Sequence, residues 1–143
     1  MTAMLSQHFS VEELTRTETG LENDPGIALG GNMVRLAETL EGVRELLDCP
    51  LHVNSGFRSE AVNRKVNGAR NSAHLFGRAA DFVPQDVPIA EAFERIRKSG
   101  LVWDQLILEP TWIHLGIACV REKPRQECLT AHQGSNGMTY SHV

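Results

Sequence analysis

The 143-residue chain is long enough to bury about two-thirds of its unfolded surface in one core, so a single domain without disulfide staples is expected. Its composition, 41% hydrophobic and 22% charged, is that of an ordinary folded protein and excludes a disordered or fibrous chain. A formal net charge of -4, with basic clusters such as Arg95, Arg97 and Lys98 set among carboxylates, gives no general attraction to phosphate backbones, so nucleic acid is not expected as a partner.

In chain order, Met1 to Ser10 carries no basic stretch followed by a long apolar one, so no secretory signal is legible and synthesis in the cytoplasm is expected. Ser10 can cap a short helix through the Glu13 amide while Phe9 staples onto Leu14. Thr15 to Gly31 is rich in Gly, Pro and small polar residues and reads as a surface loop. From Asn32, the positions Met33, Val34, Ala37, Leu40, Val43 and Leu47 keep the helical period up to the Cys49-Pro50 break, which makes this the main core helix.

Leu51 to Ser55 alternates as a strand, and Gly56 opens a turn into a second helical stretch from Glu60 to Val66. A polar loop follows over Asn67 to Ser72, then a strand over Gly77 to Val83 whose small residues suit a close backbone neighbour. A helix is expected over Ile89 to Lys98, with Ala92, Phe93 and Ile96 on one face. Gln105 to Leu108 and Trp112 to Ala118 then form a hairpin around Glu109-Pro110-Thr111. From Arg121 the chain turns polar, and residues 121–143 read as a mobile C-terminal tail after a domain spanning 1–120.

Helices first and mostly antiparallel strands later make an α+β domain, one small sheet flanked by helices. No apolar run approaches the roughly 20 residues of a membrane helix, so no membrane insertion is expected. Cys49, Cys119 and Cys128 have neither an even count nor CxxC spacing and read as free thiols.

Two of the six histidines sit in unusual settings. His114 lies in the apolar strand beside Trp112, and its imidazole needs a partner there because burying a bare polar ring costs free energy. Strand alternation places it on the face of Trp112 and Gly116, opposite Ile113 and Leu115, so it can open into a cleft. His74 stands at a loop-to-strand entry, seven residues before Asp81. Two His and one Asp can hold Zn²⁺ with a fourth position open for water, but spacing alone favours the plainer reading of a hydrogen-bonded histidine in each element.

The surrounding motifs carry more information. Ser55-Gly56-Phe57-Arg58-Ser59, Asn63, Gly68, Ser72-Ala73-His74-Leu75-Phe76-Gly77-Arg78-Ala79-Ala80-Asp81, Asp104-Gln105-Leu106-Ile107 and Trp112-Ile113-His114 follow one another in order, after an opening Ser6-x-His8-Phe9 with Glu13-Leu14. Together, from about Leu5 to Ile117, they resemble the peptidase M15 family, which contains zinc D-alanyl-D-alanine carboxypeptidases and phage endolysins. The resemblance implies a Hedgehog/DD-peptidase-like fold, a Zn²⁺ held by His74, Asp81 and His114, and a peptidoglycan stem or cross-bridge peptide as substrate. Arg58 matches an arginine that lies beside the metal in the family, where its planar fork suits an oxyanion or a substrate carboxylate. Ser72 either binds substrate or turns its loop, Asn63 fastens that loop, and Trp112 forms a wall of the substrate site.

One departure from the family pattern concerns the general base. Many relatives carry Asp or Glu three residues before the last ligand, and here that position is Thr111, which cannot take a proton at neutral pH. Glu109 is the expected replacement, with Asp104 a weaker candidate that reads as structural. A non-catalytic peptidoglycan-binding or virion module of the same fold is the alternative reading. A monomer is expected, and a wall-directed enzyme without a signal implies phage-assisted release or packaging into a virion.

Overall fold

The structure is a computed structural model and describes residues 3–143. Four α-helices, Val11–Thr15 (α1), Gly30–Leu47 (α2), Glu60–Lys65 (α3) and Ile89–Arg97 (α4), accompany six strands. The strands are Leu51–Ser55 (β1), Ala79–Pro84 (β2), Gln105–Leu108 (β3), Ile113–Gly116 (β4), Glu127–Gly134 (β5) and Gly137–His142 (β6). They form one sheet in the order β1-β2-β4-β3-β5-β6, antiparallel throughout except where β5 runs parallel to β3. The expected α+β class is therefore observed, and no helix among the described residues is long and apolar enough to cross a membrane.

The two faces of the sheet have different jobs, because side chains alternate along each strand. Val53, Phe82, Ile113 and Leu115 point into the core, where they meet Met33, Leu36, Ala37, Leu40, Val43 and Leu47 of α2 and Ala92, Phe93 and Ile96 of α4. Val34, expected on the buried face of α2, is instead 37% exposed, since its neighbours Met33, Leu36 and Ala37 define a stripe that leaves it on the flank. The opposite face carries one row of paired residues, Ser55, Asp81, His114 and Ile107 on β1, β2, β4 and β3. At the N-terminus Ser10 Oγ accepts from the Glu13 amide at 3.0 Å, while Phe9 and Leu14 are both buried, as the capping pattern requires.

The segment expected as a mobile tail is where the structure corrects the sequence reading. Residues 127–142 form the β5–β6 hairpin, and β5 adds to the free edge of β3. Backbone pairing rather than apolar burial holds these strands, so their polar composition hid them. The turn Ser135-Asn136 closes between Gly134 and Gly137, and Asn136-Gly137 was a hairpin signal in its own right. The second smaller difference lies between α3 and β2, where Ala73–Phe76 coils into a 3-10 turn before the strand begins at Ala79.

Candidate metal centre

A cleft of about 780 Å³ opens on the non-core face of the sheet. Its walls include Arg58, Ser72, His74, Asp81, Glu109, Trp112 and His114, so the residues singled out from the sequence come together in one place. Asp81 and His114 arrive as cross-strand partners on β2 and β4, and strand pairing alone brings them together. His74 arrives from the 3-10 turn, where Ser72 Oγ accepts from the His74 amide at 3.2 Å. Ser72 thus caps the turn, whichever further role its hydroxyl has.

The three side chains converge closely. One ligand atom from each of His74, Asp81 and His114 lies within 4.8 Å of the other two. A tetrahedral ion with bonds near 2.1 Å would hold its ligands about 3.4 Å apart, so only small adjustments separate this set from coordination. His114 Nδ1 is 2.9 Å from Asp81 Oδ1, and His74 Nε2 is 3.3 Å from Asp81 Oδ2.

The hydrogen bonding of His74 determines what this geometry can accommodate. His74 Nδ1 lies 2.6 Å from the Gly56 carbonyl, which can only accept, so Nδ1 carries the proton of the neutral ring. Burial pushes the His74 pKa down, against the pull of Asp81, and favours that neutral form. Its Nε2 lone pair then faces the Asp81 carboxylate with no proton between two acceptors. A divalent cation resolves this contact, and the borderline N, N, O donor set suits zinc. Burial alone would raise the Asp81 carboxyl, but the hydrogen bond with His114 Nδ1 holds it well below the usual carboxylate range. The carboxylate is therefore in the charged form that a metal ion would need.

Arg58 stands directly behind this group. Its Nη2 donates to Asp81 Oδ2 at 3.2 Å, Nε to Ser55 Oγ at 3.0 Å, and Nη1 to Asn63 Oδ1 at 3.3 Å. Three of its five N–H donors are engaged, so the fork both orients Asp81 and keeps two donors for another group. Asn63 is buried and donates to the Ala69 carbonyl at 2.9 Å, which fastens the loop after α3 as its sequence setting suggests.

The turn between β3 and β4 places Glu109 and Thr111 differently. Glu109 lines the cleft and its amide donates to the Trp112 carbonyl at 3.0 Å, whereas Thr111 is exposed on the turn outside the cleft walls. Burial pushes the Glu109 pKa up, partly offset by His114 and by a hydrogen bond from Tyr140. Asp104 also lines the cleft, but its carboxylate is occupied by the Arg125 guanidinium. Trp112 is a wall residue whose buried Nε1 has no hydrogen-bond partner among the described residues.

Comparison with known protein families matches Peptidase M15 over residues 7–116, well over half the chain. The chain belongs to the peptidase M15 family. A stretch of 43 residues is also 49% identical to the zinc D-Ala-D-Ala carboxypeptidase of Streptomyces albus G, covering 29% of this chain and 17% of that protein. In this M15 chain the matched span contains His74, Asp81, His114, Arg58 and Glu109, and it ends before β5 and β6 begin. Tyr140, on β6, nevertheless lines the same cleft. With Glu122, Lys123 and Arg125 it is among the cleft residues that sequence reasoning missed, because a segment read as a tail offered no reason to place it near His114.

Proposed function

We propose that this M15 chain is a zinc metallopeptidase that hydrolyses peptide bonds of peptidoglycan, in a stem ending in D-alanyl-D-alanine or in a cross-bridge. The observation that carries the reading is the convergence of the neutral His74 Nε2, the Asp81 carboxylate and His114 Nδ1 at the floor of a cleft that also holds Glu109. His74, Asp81 and His114 would hold the ion. A zinc ion there supplies Lewis acidity toward a carbonyl oxygen and toward water.

The remaining chemistry belongs to the protein. Glu109, raised in pKa by burial, accepts the proton of the attacking water and returns it to the departing amine nitrogen. The free N–H groups of Arg58 neutralise charge on the tetrahedral intermediate or grip a terminal substrate carboxylate. Trp112 walls the cleft, and the Ser72 hydroxyl proton is available to a substrate carbonyl. The occupied Asp104 carboxylate supports Glu109 over Asp104 as the base.

The test combines metal analysis with digestion of purified peptidoglycan by the zinc-loaded chain. About one zinc per chain and the appearance of new amino and carboxyl groups are expected. Zinc with wall binding but no released groups would instead select a binding module, and absence of bound zinc would overturn the metallopeptidase altogether.

A further inference from the structure

The part of the chain beyond the matched family span lines the cleft with Glu122, Lys123, Arg125 and Tyr140, and of these Tyr140 bonds to Glu109. β5 is tied to the edge of β3 by parallel pairing from Gln105↔Glu127 to Leu108↔Thr130. Further ties come from Trp103, whose amide donates to Gln126 Oε1 at 2.6 Å and whose Nε1 donates to the Glu127 carbonyl at 3.1 Å. The strand that anchors the hairpin is thus the strand that runs directly into Glu109. Ala131 pairs with Tyr140 across the hairpin, and the Tyr140 hydroxyl donates to Glu109 Oε1 at 3.3 Å. Tyr140 is 49% exposed, so core packing does not explain an aromatic residue there.

We propose that Tyr140 is a positioning residue for Glu109, supplied to the active site by the C-terminal hairpin. This rests on the reading of Glu109 as the proton acceptor. A glutamate at a strand end has three side-chain torsions to order, and one charge-assisted hydrogen bond to Oε1 restricts them while leaving Oε2 free for water. The groups facing Glu109 otherwise act on its charge without gripping it, since His114 and Asp81 influence it through space, Arg125 is committed to Asp104, and among the described residues no hydrogen bond joins Arg58 to Glu109. Tyr140 is therefore the side chain that holds the carboxylate in one orientation.

The experiment uses the full zinc-loaded chain and the substitution Tyr140→Phe, which removes only the hydroxyl. On a peptide ending in D-alanyl-D-alanine, kcat should fall about tenfold, the scale of one hydrogen bond to a charged group, while KM and zinc content stay within about twofold. In a Glu109→Gln background the same substitution should change the residual rate less than about twofold, because the group being positioned is no longer a base. Crystal structures of the parent and the variant should show the Glu109 carboxylate beside Tyr140 in the former and displaced in the latter. Unchanged kcat, an equal loss in both backgrounds, or an unmoved Glu109 overturns the proposal. If the parent hydrolyses no wall peptide, the functional reading fails by itself, and the position of Glu109 in the two crystal structures decides for or against Tyr140.

Discussion

Asp81 and His114 are 33 residues apart in sequence and face each other across β2 and β4, with Asp81 Oδ1 2.9 Å from His114 Nδ1. Strand register makes this contact, and a slip of either strand by one residue would turn its own member of the pair toward the core. His74 joins them from outside the sheet. Removing any one member, by His74→Ala, Asp81→Ala or His114→Ala, should weaken zinc binding by at least about a hundredfold, since two protein ligands do not make a stable site. Atomic absorption after dialysis reads this directly, and a variant that keeps its full zinc is not missing a ligand.

Arg58→Lys should keep the fold and lose most of the activity, on the order of tenfold or more. A lysine preserves the charge but cannot hold Ser55, Asn63 and Asp81 at once, as the guanidinium does. Circular dichroism checks the fold and peptide hydrolysis checks the rate. Equal activity in the lysine variant would mean that only diffuse charge matters at this position.

Glu109→Gln should bind zinc normally and lose on the order of a hundredfold in rate, because the amide keeps the shape but cannot accept a proton. Near-parental turnover with zinc bound would remove Glu109 from the mechanism.

Gly56→Ala should destabilise the protein by about 1–3 kcal/mol through overpacking. A Cβ at Gly56 would strike the Leu14 carbonyl oxygen and stand 3.0 Å from Leu14 Cα, and both neighbours are backbone that cannot swing aside. The Gly56 carbonyl also holds His74 Nδ1, so zinc affinity should fall with stability. Urea unfolding together with a zinc titration reads both effects, and a parental midpoint would show that the backbone gives way there.

Asp104 anchors the segment leading into β5 by accepting from the Arg125 amide at 2.9 Å and from its guanidinium. Partial burial would raise its pKa, but the hydrogen bonds and charge of Arg125 hold it below the ordinary value. A carboxyl with a depressed folded pKa stabilises the fold above the unfolded value of about 3.9, and that contribution is lost as pH falls through the lower folded value. Asp104→Asn should therefore be less stable than the parent at pH near 7, with the difference shrinking below pH of about 4. Urea midpoints at about pH 7 and pH 3 measure it, and a pH-independent difference would show that the carboxylate charge contributes nothing.

The amino-acid sequence by itself determined the α+β class, the core stripe of α2, the caps and turns, and the membership of His74, Asp81, Arg58 and His114 in one chemical group. All but the last are local, depending on periodicity and on capping residues, while the grouping of the four site residues was legible only through the resemblance of the ordered motifs to the M15 family. Tertiary structure decided what depends on proximity between distant segments. It set Asn63 and Ser55 behind Arg58, put the Gly56 carbonyl on His74 Nδ1, and turned Glu109 into the cleft while leaving Thr111 outside. It also folded residues 127–142 onto the edge of β3, where pairing is made by backbone groups that every sequence possesses and no hydrophobic pattern announces. Tyr140 belongs beside Glu109 for that reason alone: its neighbour was chosen by the edge of a sheet, 31 residues away along the chain.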